Sequence, residues 1–295
     1  NSLTDYKVII TVHYGSGSDS QDDVYLDGKC QADFGDIRFT ASDEETELDF
    51  WIEELVNGDY AICYVEIPSI LASSTVDIYI YYGTSETSVS TENGVNTFSL
   101  FDDYEDNSLD TSKWNKYEDD GVVSETGGQL VIDADGAGNQ QFCVGIVSDA
   151  KYDYDCEFFA HMNIEPSTDY ATWAYSRFGA FNDNTGFGYG SAKEENTYRP
   201  TIENHTGLSP QTIRNASGTS HSGTILPDGG GRAAIRIVST IGTEGVYGVI
   251  AYAQEHSDVG SVNHTEDYFG FQIVGWAGNH REIYTIEYCA LRPYV

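Results

Sequence analysis

An all-β protein of two sandwich domains is what this 295-residue sequence predicts, and three observations predict it. Apolar and polar residues alternate with period two in one segment after another. Breaks rich in glycine, serine and aspartate separate those segments at short intervals. No stretch shows a helical repeat of useful length, and 22 tyrosines against one methionine suit strands better than helices. The length allows two domains, each able to bury a core. An acidic, aromatic stretch beginning at Leu100 marks the division, so the domains are expected at 1–98 and 99–295.

In the first half, Tyr6, Val8, Ile10, Val12 and Tyr14 alternate with Lys7, Ile9, Thr11 and His13, the pattern of a half-buried strand. Gly15-Ser-Gly-Ser-Asp-Ser-Gln-Asp-Asp ends it, and the spacing of Asp19, Asp22 and Asp23 does not match an EF-hand loop, so a solvated loop is expected. Asp36–Thr40 and Leu48–Glu53 read as short strands. Ala61, Cys63, Val65 and Ile67 share one face of the next, which Pro68 closes. Val76, Ile78, Ile80 and Tyr82 form the last, stopped by Gly83.

The second half opens with Leu100-Phe-Asp-Asp-Tyr-Glu-Asp-Asn-Ser-Leu-Asp-Thr-Ser-Lys-Trp114. Its regular aromatic anchors favour a segment that wraps a sheet with its acids gathered on a cation over a flexible linker. Leu130–Ala134 and Phe142–Val147 follow as strands. The clearest alternation in the chain is Tyr152, Tyr154, Cys156, Phe158, Ala160 and Met162 against Asp153, Asp155, Glu157, Phe159 and His161. It predicts one apolar face and one acidic, wet face. Further strands are expected at 172–181, 232–239, 246–253, 268–275 and 282–291. Their spacing by glycine-rich turns means a sandwich or jelly roll.

Two resemblances rest on particular residues. Asp36-Ile-Arg-Phe-Thr, Glu47-Leu-Asp-Phe-Trp-Ile-Glu, Tyr64-Val-Glu-Ile-Pro-Ser-Ile and Ile78-Tyr-Ile-Tyr-Tyr-Gly resemble the domain-of-unknown-function family 2341 over residues 4–84. That likeness implies a β-sandwich module of secreted and cell-surface proteins and carries over no catalytic residue. The Phe-Asp-Asp-Tyr opening, Leu-Asp-x-x-x-Trp, Gly127-Gly-Gln-Leu, Arg232-Ala-Ala-Ile-Arg-Ile and the closing Ile286-Glu-Tyr-Cys-Ala-Leu-Arg-Pro-Tyr-Val together resemble the concanavalin-like, laminin-G-like jelly roll. By that likeness the opening segment and a late acid hold a structural calcium. Asp102, Asp103, Glu105 and Glu287 are then the candidate ligands, although relatives carry Asp where this chain has Glu287.

A net charge of −34 excludes nucleic acid as a partner and disfavours anionic membrane surfaces. No apolar run approaches the ~20 residues needed to span a bilayer, so membrane insertion is not expected. The charge reads either as a solubility device or as acid that divalent cations neutralise. Five cysteines without a CxxC pair make zinc an unsuitable partner. Cys30–Cys63 is the natural disulfide candidate, against buried free thiols at the apolar positions of Cys63 and Cys156. The sequons at Asn204, Asn215 and Asn263 favour a glycosylated, extracellular chain.

Three functions remain open on this sequence. The first is a self-assembling cell-surface or filament subunit, with contacts between its copies assisted by cations. The second is a glycan-binding module that uses Trp173, Tyr175 and Trp276, whose rings either stack on sugars or fill the core. The third, ranked last, is a glycoside hydrolase on Asp153, Asp155 and Glu157, which have the i, i+2, i+4 spacing that would put carboxylates on one strand face. No enzyme activity is expected, because those acids read more simply as a solvated face.

Overall fold

The computed structural model describes residues 2–84, 92–136, 141–165, 173–181, 201–205, 211–215, 218–223, 231–240, 243–250, 255–260, 266–276 and 280–294. The chain divides into two compact units, Asn1–Phe101 and Asp102–Val295. Each is built almost wholly of strands.

Unit 1 contains β1 (Leu3–His13), β2 (Asp23–Tyr25), β3 (Arg38–Thr40), β4 (Glu47–Leu48), β5 (Phe50–Val56), β6 (Tyr60–Ile70), β7 (Tyr79–Tyr81) and a single helical turn α1 (Gly94–Thr97). β8 (Leu100–Asp102) straddles the division. The strands form two sheets, ordered β2-β1-β6-β5 and β4-β3-β7. β1 and β6 pair antiparallel with Val8 opposite Val65, Ile10 opposite Cys63 and Val12 opposite Ala61. One face of that ribbon is therefore continuously apolar, and the N-terminal strand is paired within its own unit. The core lies between the two sheets, where Phe39 of β3 meets Phe50 of β5 edge to face at 5.1 Å. The last strand is shorter than the alternation of Val76, Ile78, Ile80 and Tyr82 predicts. It starts only at Tyr79, and Val76 stands 41% exposed before it.

The other face of the four-stranded sheet is also covered. Trp51 and Tyr64 pack under Phe98 and Phe101, with Trp51 and Phe101 ring centroids 5.1 Å apart. α1 brings those phenylalanines in. The side chain of its cap, Asn93, accepts from Asn96 N, and Asn93 N donates to the Phe50 carbonyl. Gly94 is required here, since a Cβ would stand 2.2 Å from the Phe101 ring.

Unit 2 comprises β9 (Trp114–Glu118), β10 (Gly121–Glu125), β11 (Leu130–Gly136), β12 (Gln141–Ser148), β13 (Tyr152–Asp153), β14 (Cys156–Glu165), β15 (Trp173–Phe181), β16 (Thr201–His205), β17 (Gln211–Asn215), β18 (Gly218–Gly223), β19 (Gly231–Thr240), β20 (Thr243–Ile250), β21 (Glu255–Gly260), β22 (Glu266–Trp276) and β23 (His280–Pro293). They make two antiparallel sheets. Sheet I runs β10-β11-β23-β14-β19-β20-β21, and sheet II runs β18-β17-β16-β15-β22-β12-β9. The sheets stack through aromatic side chains. Phe158 of sheet I meets Phe178, Phe269 and Phe271 of sheet II at 4.9, 5.3 and 5.7 Å, and Phe271 meets Tyr284 at 5.8 Å. Buried area of this kind contributes ~25 cal/mol per Å².

Two expectations about the strongest alternation need correction. It is not one strand. β13 ends at Asp153 and β14 begins at Cys156, because Asp155 adopts a left-handed conformation with φ 60° and turns the chain between them. Its second face is wet only in part: Asp153 and Asp155 are exposed and His161 half-buried, but Glu157 and Phe159 are fully buried.

Two glycines at the centre of sheet II face the backbone of the neighbouring strand directly. A Cβ on Gly145 would stand 2.2 Å from the Phe271 carbonyl oxygen, and one on Gly270 2.2 Å from that of Ile146. Backbone atoms cannot yield as a side-chain tip would. Gly145→Ala and Gly270→Ala are each expected to destabilise the protein by about 1–3 kcal/mol, the usual result of overpacking. Thermal unfolding measures this, with Gly127→Ala as the control for left-handed strain alone, because a Cβ there meets nothing within 4 Å.

Candidate functional site

The opening segment is organised by Asp102. Its Oδ2 accepts from the Trp114 indole Nε1 at 2.7 Å and from Lys113 Nζ at 3.5 Å, while Oδ1 accepts from Tyr104 N at 3.2 Å. Tyr104 is fully buried with its hydroxyl 3.2 Å from Cys289 Sγ, which ties the segment to β23. The predicted calcium ligands are therefore divided. Asp102 is engaged by donors. Glu105 abuts the β10–β11 turn, where a Cβ on Gly128 would lie 3.1 Å from its carboxylate. Glu287 reaches the same turn, accepting from Gln129 Nε2 at 3.4 Å, and pairs with His161 Nδ1 at 2.8 Å. Asp103 Oδ1 lies 3.5 Å from Glu105 N. Among the described residues, no group of three or more His, Cys, Asp or Glu side chains is arranged to hold a metal ion.

Sequence reasoning missed a closer acid pair. Ser108 N donates to Asp106 Oδ1 at 2.9 Å and to Glu125 Oε1 at 3.0 Å. Burial, a hydrogen bond with Asp106 and the neighbouring Asp102 and Asp106 charges push Glu125 up to about 7. No spacing rule links residues 106 and 125. Only the return of β10 beside the opening loop brings them together.

The outer face of sheet I holds a second charged cluster. Register places Glu157 of β14 between Arg236 of β19 and Arg292 of β23. Arg292 donates to Glu157 Oε1 through Nε at 2.9 Å, Arg236 Nε donates to Oε2, and Arg232 Nη2 lies 3.5 Å from Oε1. Arg232 also covers the Phe159 ring at 4.5 Å and Arg236 the Tyr294 ring at 4.6 Å. Burial alone would raise the Glu157 pKa, but Arg292, Arg232 and Arg236 outweigh it and hold the carboxyl below the ordinary range. A carboxylate so held is neither a general acid nor a free nucleophile. Asp153 and Asp155 lie outside β14 as well, so the trio spaced for glycoside cleavage does not form on one strand face.

The outer face of sheet II is largely apolar and buried. Cys143 packs on Val274, and Val147 on Phe181 with Tyr117 and Tyr268 beside them. Between these clusters a register row runs Tyr117, Gly145, Gln272, Arg177. Gln272 is fully buried, and neither atom of its amide has a hydrogen-bond partner among the described residues. Of the predicted sugar platform, Trp173 lies opposite Trp276 and Tyr175 opposite Val274 in the same strand pair.

All five cysteines are buried and free. Cys30 and Cys63 share the core of unit 1, but as separate thiols, so the expected disulfide is not formed. Burial, then the Asp36 charge, pushes Cys30 up to about 11, and burial raises Cys63, Cys156 and Cys289 further. None is a ready nucleophile. Of the sequons, Asn204 and Asn215 lie in β16 and β17, whereas Asn263 lies outside the described residues.

Residues 33–117 match the family described as Domain of unknown function (DUF2341), a span that begins and ends later than the 4–84 expected. A search of curated proteins finds no match. Among solved structures, the chain is similar to one reported with endo-acting O-glycanases of the human gut microbiota, at 9% identity and TM-score 0.44, covering 67% of this chain and 100% of that one. It is similar to the lectin from Bauhinia forficata in complex with GalNAc, at 13% identity and TM-score 0.43, over 65% and 96% of the two chains. A β-1,3-glucanase from Mycobacterium marinum shows 11% identity and TM-score 0.43 over 66% and 98%.

Two pH effects of opposite sign follow from these clusters. Glu157 is depressed on folding, so its contribution is present above its unfolded value near 4.5 and is lost as pH falls through the folded value. Glu157→Gln should cost about 3–5 kcal/mol at neutral pH and flatten the acid limb of denaturant unfolding measured from pH 6 to 3. Glu125 is raised, so folding takes up a proton between about 4.5 and 7, and stability falls as pH rises through that window. Glu125→Gln should abolish that fall, giving a melting temperature that no longer drops between pH 5 and pH 8.

Proposed function

We propose that this chain is an extracellular structural protein, a building block of a cell surface that associates with copies of itself. The observation that carries the reading is the edge of unit 1. β7 is an end strand of its sheet, and Tyr79 on it and Val76 just before it are each 41% exposed, with Tyr81 and Tyr82 at 38%. An end strand with partly exposed aromatic side chains offers an edge on which a second chain can pair, although three residues make it a short one. The locked state of Glu157 supports a non-catalytic reading of the one acid run that had glycosidase spacing.

The acid load sets the conditions for association. Copies that each carry −34 repel one another unless ions screen them. Calcium suits that role through carboxylate oxygens. The closely placed Asp106 and Glu125, with Glu105 and Glu287 at the neighbouring turn, are the acids that gain most from a cation. Glycan binding is the second reading, and the orphaned amide of Gln272 favours it.

The expected behaviour is growth of particle size with protein concentration and with millimolar calcium, reversed by a chelator. Val76→Glu with Tyr79→Glu should hold the protein as a monomer while its melting temperature shifts little, since exposed substitutions change stability by ~0.5 kcal/mol or less. Light scattering and negative-stain imaging measure both. A wild-type protein that stays monomeric across that range, indifferent to calcium and chelator, contradicts the reading.

A further inference from the structure

We infer that the exposed edge of unit 1 docks on the outer face of sheet I of a second copy, where Arg232 and Arg236 receive the acidic turn beside β7. The inference rests on the self-associating reading above and names the two surfaces that meet. Charge carries the argument. Arg232, Arg236 and Arg292 surround one buried carboxylate, so these four groups together leave an excess of two positive charges. In a chain of net charge −34 that is an island of the opposite sign. The island is open to solvent. The Arg232 side chain is 24% exposed and that of His161 39%, and Tyr288 and Tyr294 are half-buried on the same face. Glu287, paired with His161, is the acid at its rim.

The complementary surface is on unit 1. Every residue from Ser42 to Glu47 is exposed. The turn is stiff, since Asp43 accepts from Glu45 N at 3.1 Å, Thr46 N at 2.8 Å and Thr46 Oγ1 at 2.6 Å. Little ordering then remains to oppose docking. The turn also adjoins the end strand. Thr40 of β3 lies opposite Glu47 on one side and Tyr79 on the other, and the Tyr81 hydroxyl donates to the Glu44 carbonyl at 3.5 Å. Arg38, half-buried opposite Tyr81, offsets one of the acidic charges there. Carboxylate and tyrosine on one surface thus meet guanidinium and tyrosine on the other. Arginine grips carboxylates in a planar fork and lies over aromatic rings, as Arg232 and Arg236 already do on Phe159 and Tyr294. β7 has three residues, too few for ladder hydrogen bonds alone to hold a second chain, so side chains carry the contact. The two surfaces differ, so the contact is heterologous and passes from copy to copy as a ring or an open chain.

The test uses the full chain at a calcium concentration where wild type associates. Glu44→Lys with Glu45→Lys disables the turn, and Arg232→Gln weakens the face while Arg236 and Arg292 stay in place to hold Glu157. Each variant alone should associate about tenfold more weakly than wild type or worse, the loss of one or two charged contacts. The turn variant, altered only at exposed positions, should melt within about 2 °C of wild type. An equimolar mixture of the two variants should recover association and stop at particles of two chains, because one intact turn meets one intact face. Sedimentation velocity reads this. Arg232→Lys keeps the charge and gives a measurement that does not depend on how Arg232→Gln folds. In a mixture of isotope-labelled and unlabelled chains, carbodiimide should join the amine it introduces to Glu44 or Glu45 of another copy, as read by mass spectrometry. An associating wild type whose variants associate equally well, whose variant mixture recovers nothing or grows past two chains, or whose cross-links between copies avoid that turn overturns this inference alone. It leaves the self-associating reading standing, for example through β7 paired with β7. A wild type that stays monomeric overturns both.

Discussion

The contact of Phe158 with Phe178, Phe269 and Phe271 is the interaction on which unit 2 depends. Those rings come from β14 of sheet I and from the neighbouring strands β15 and β22 of sheet II, and together they set the distance between the sheets. Once they are fixed, alternation decides the rest. Every residue one position away from the stack on β14 or β22 is driven onto an outer face. Glu157 and Gln272 are two such residues, one on each sheet. Both are fully buried, although nothing in the core requires them to be. Each outer face thus carries one polar group that is closed to water, although His161 and Arg232 around Glu157 keep partial access to solvent.

The two groups are resolved differently. Glu157 is met by three guanidinium groups delivered by its register neighbours, so its burial is compensated within the chain. Gln272 receives nothing comparable. Its register partners are Gly145, which has no side chain, and Arg177, whose groups only donate. The Gln272 carbonyl therefore has a matching donor type nearby, but its amide NH2 finds no side-chain acceptor in that pair. The two faces therefore differ chemically: one buried polar group is compensated within the chain and the other is not.

The sequence made the strand parity legible and left the coverings unreadable. The alternation in β1 gave both its existence and its buried side, because Val8, Ile10 and Val12 have apolar partners of equal period in β6. In β14 the same alternation predicted which residues share a face, yet it implied that the acidic face was wet. Alternation reports parity and is silent on what packs above a sheet. The arginines that cover Glu157 are 75 to 135 residues away in sequence. β18 was invisible for a different reason: Gly218-Thr-Ser-His-Ser-Gly223 has no apolar residue to alternate. Gln272 was hidden inside Phe269-Gly-Phe-Gln-Ile-Val274, where an apolar run masks a single polar position. The pair Asp106 and Glu125 depended on a loop returning to β10, which no local pattern encodes.

This disposition of arginines bears on the charge of the surface. The chain has 14 lysines and arginines against 48 aspartates and glutamates. Three of the 14 converge on the single buried carboxylate of Glu157, and Lys7, 2% exposed, is held at 2.9 Å by Glu66. Among the described residues the buried bases Lys7, Arg177 and Arg292 are matched by the buried acids Asp36, Glu157, Asp267 and Glu282, so burial leaves the surface as acidic as the composition implies. At physiological ionic strength the screening length is about 8 Å, shorter than a sheet-to-sheet spacing of ~10 Å. Repulsion between separate molecules is therefore well screened at a distance and acts only when surfaces nearly touch. At such close range the fixed charges on the two surfaces, rather than the net charge of either chain, set the sign of the interaction.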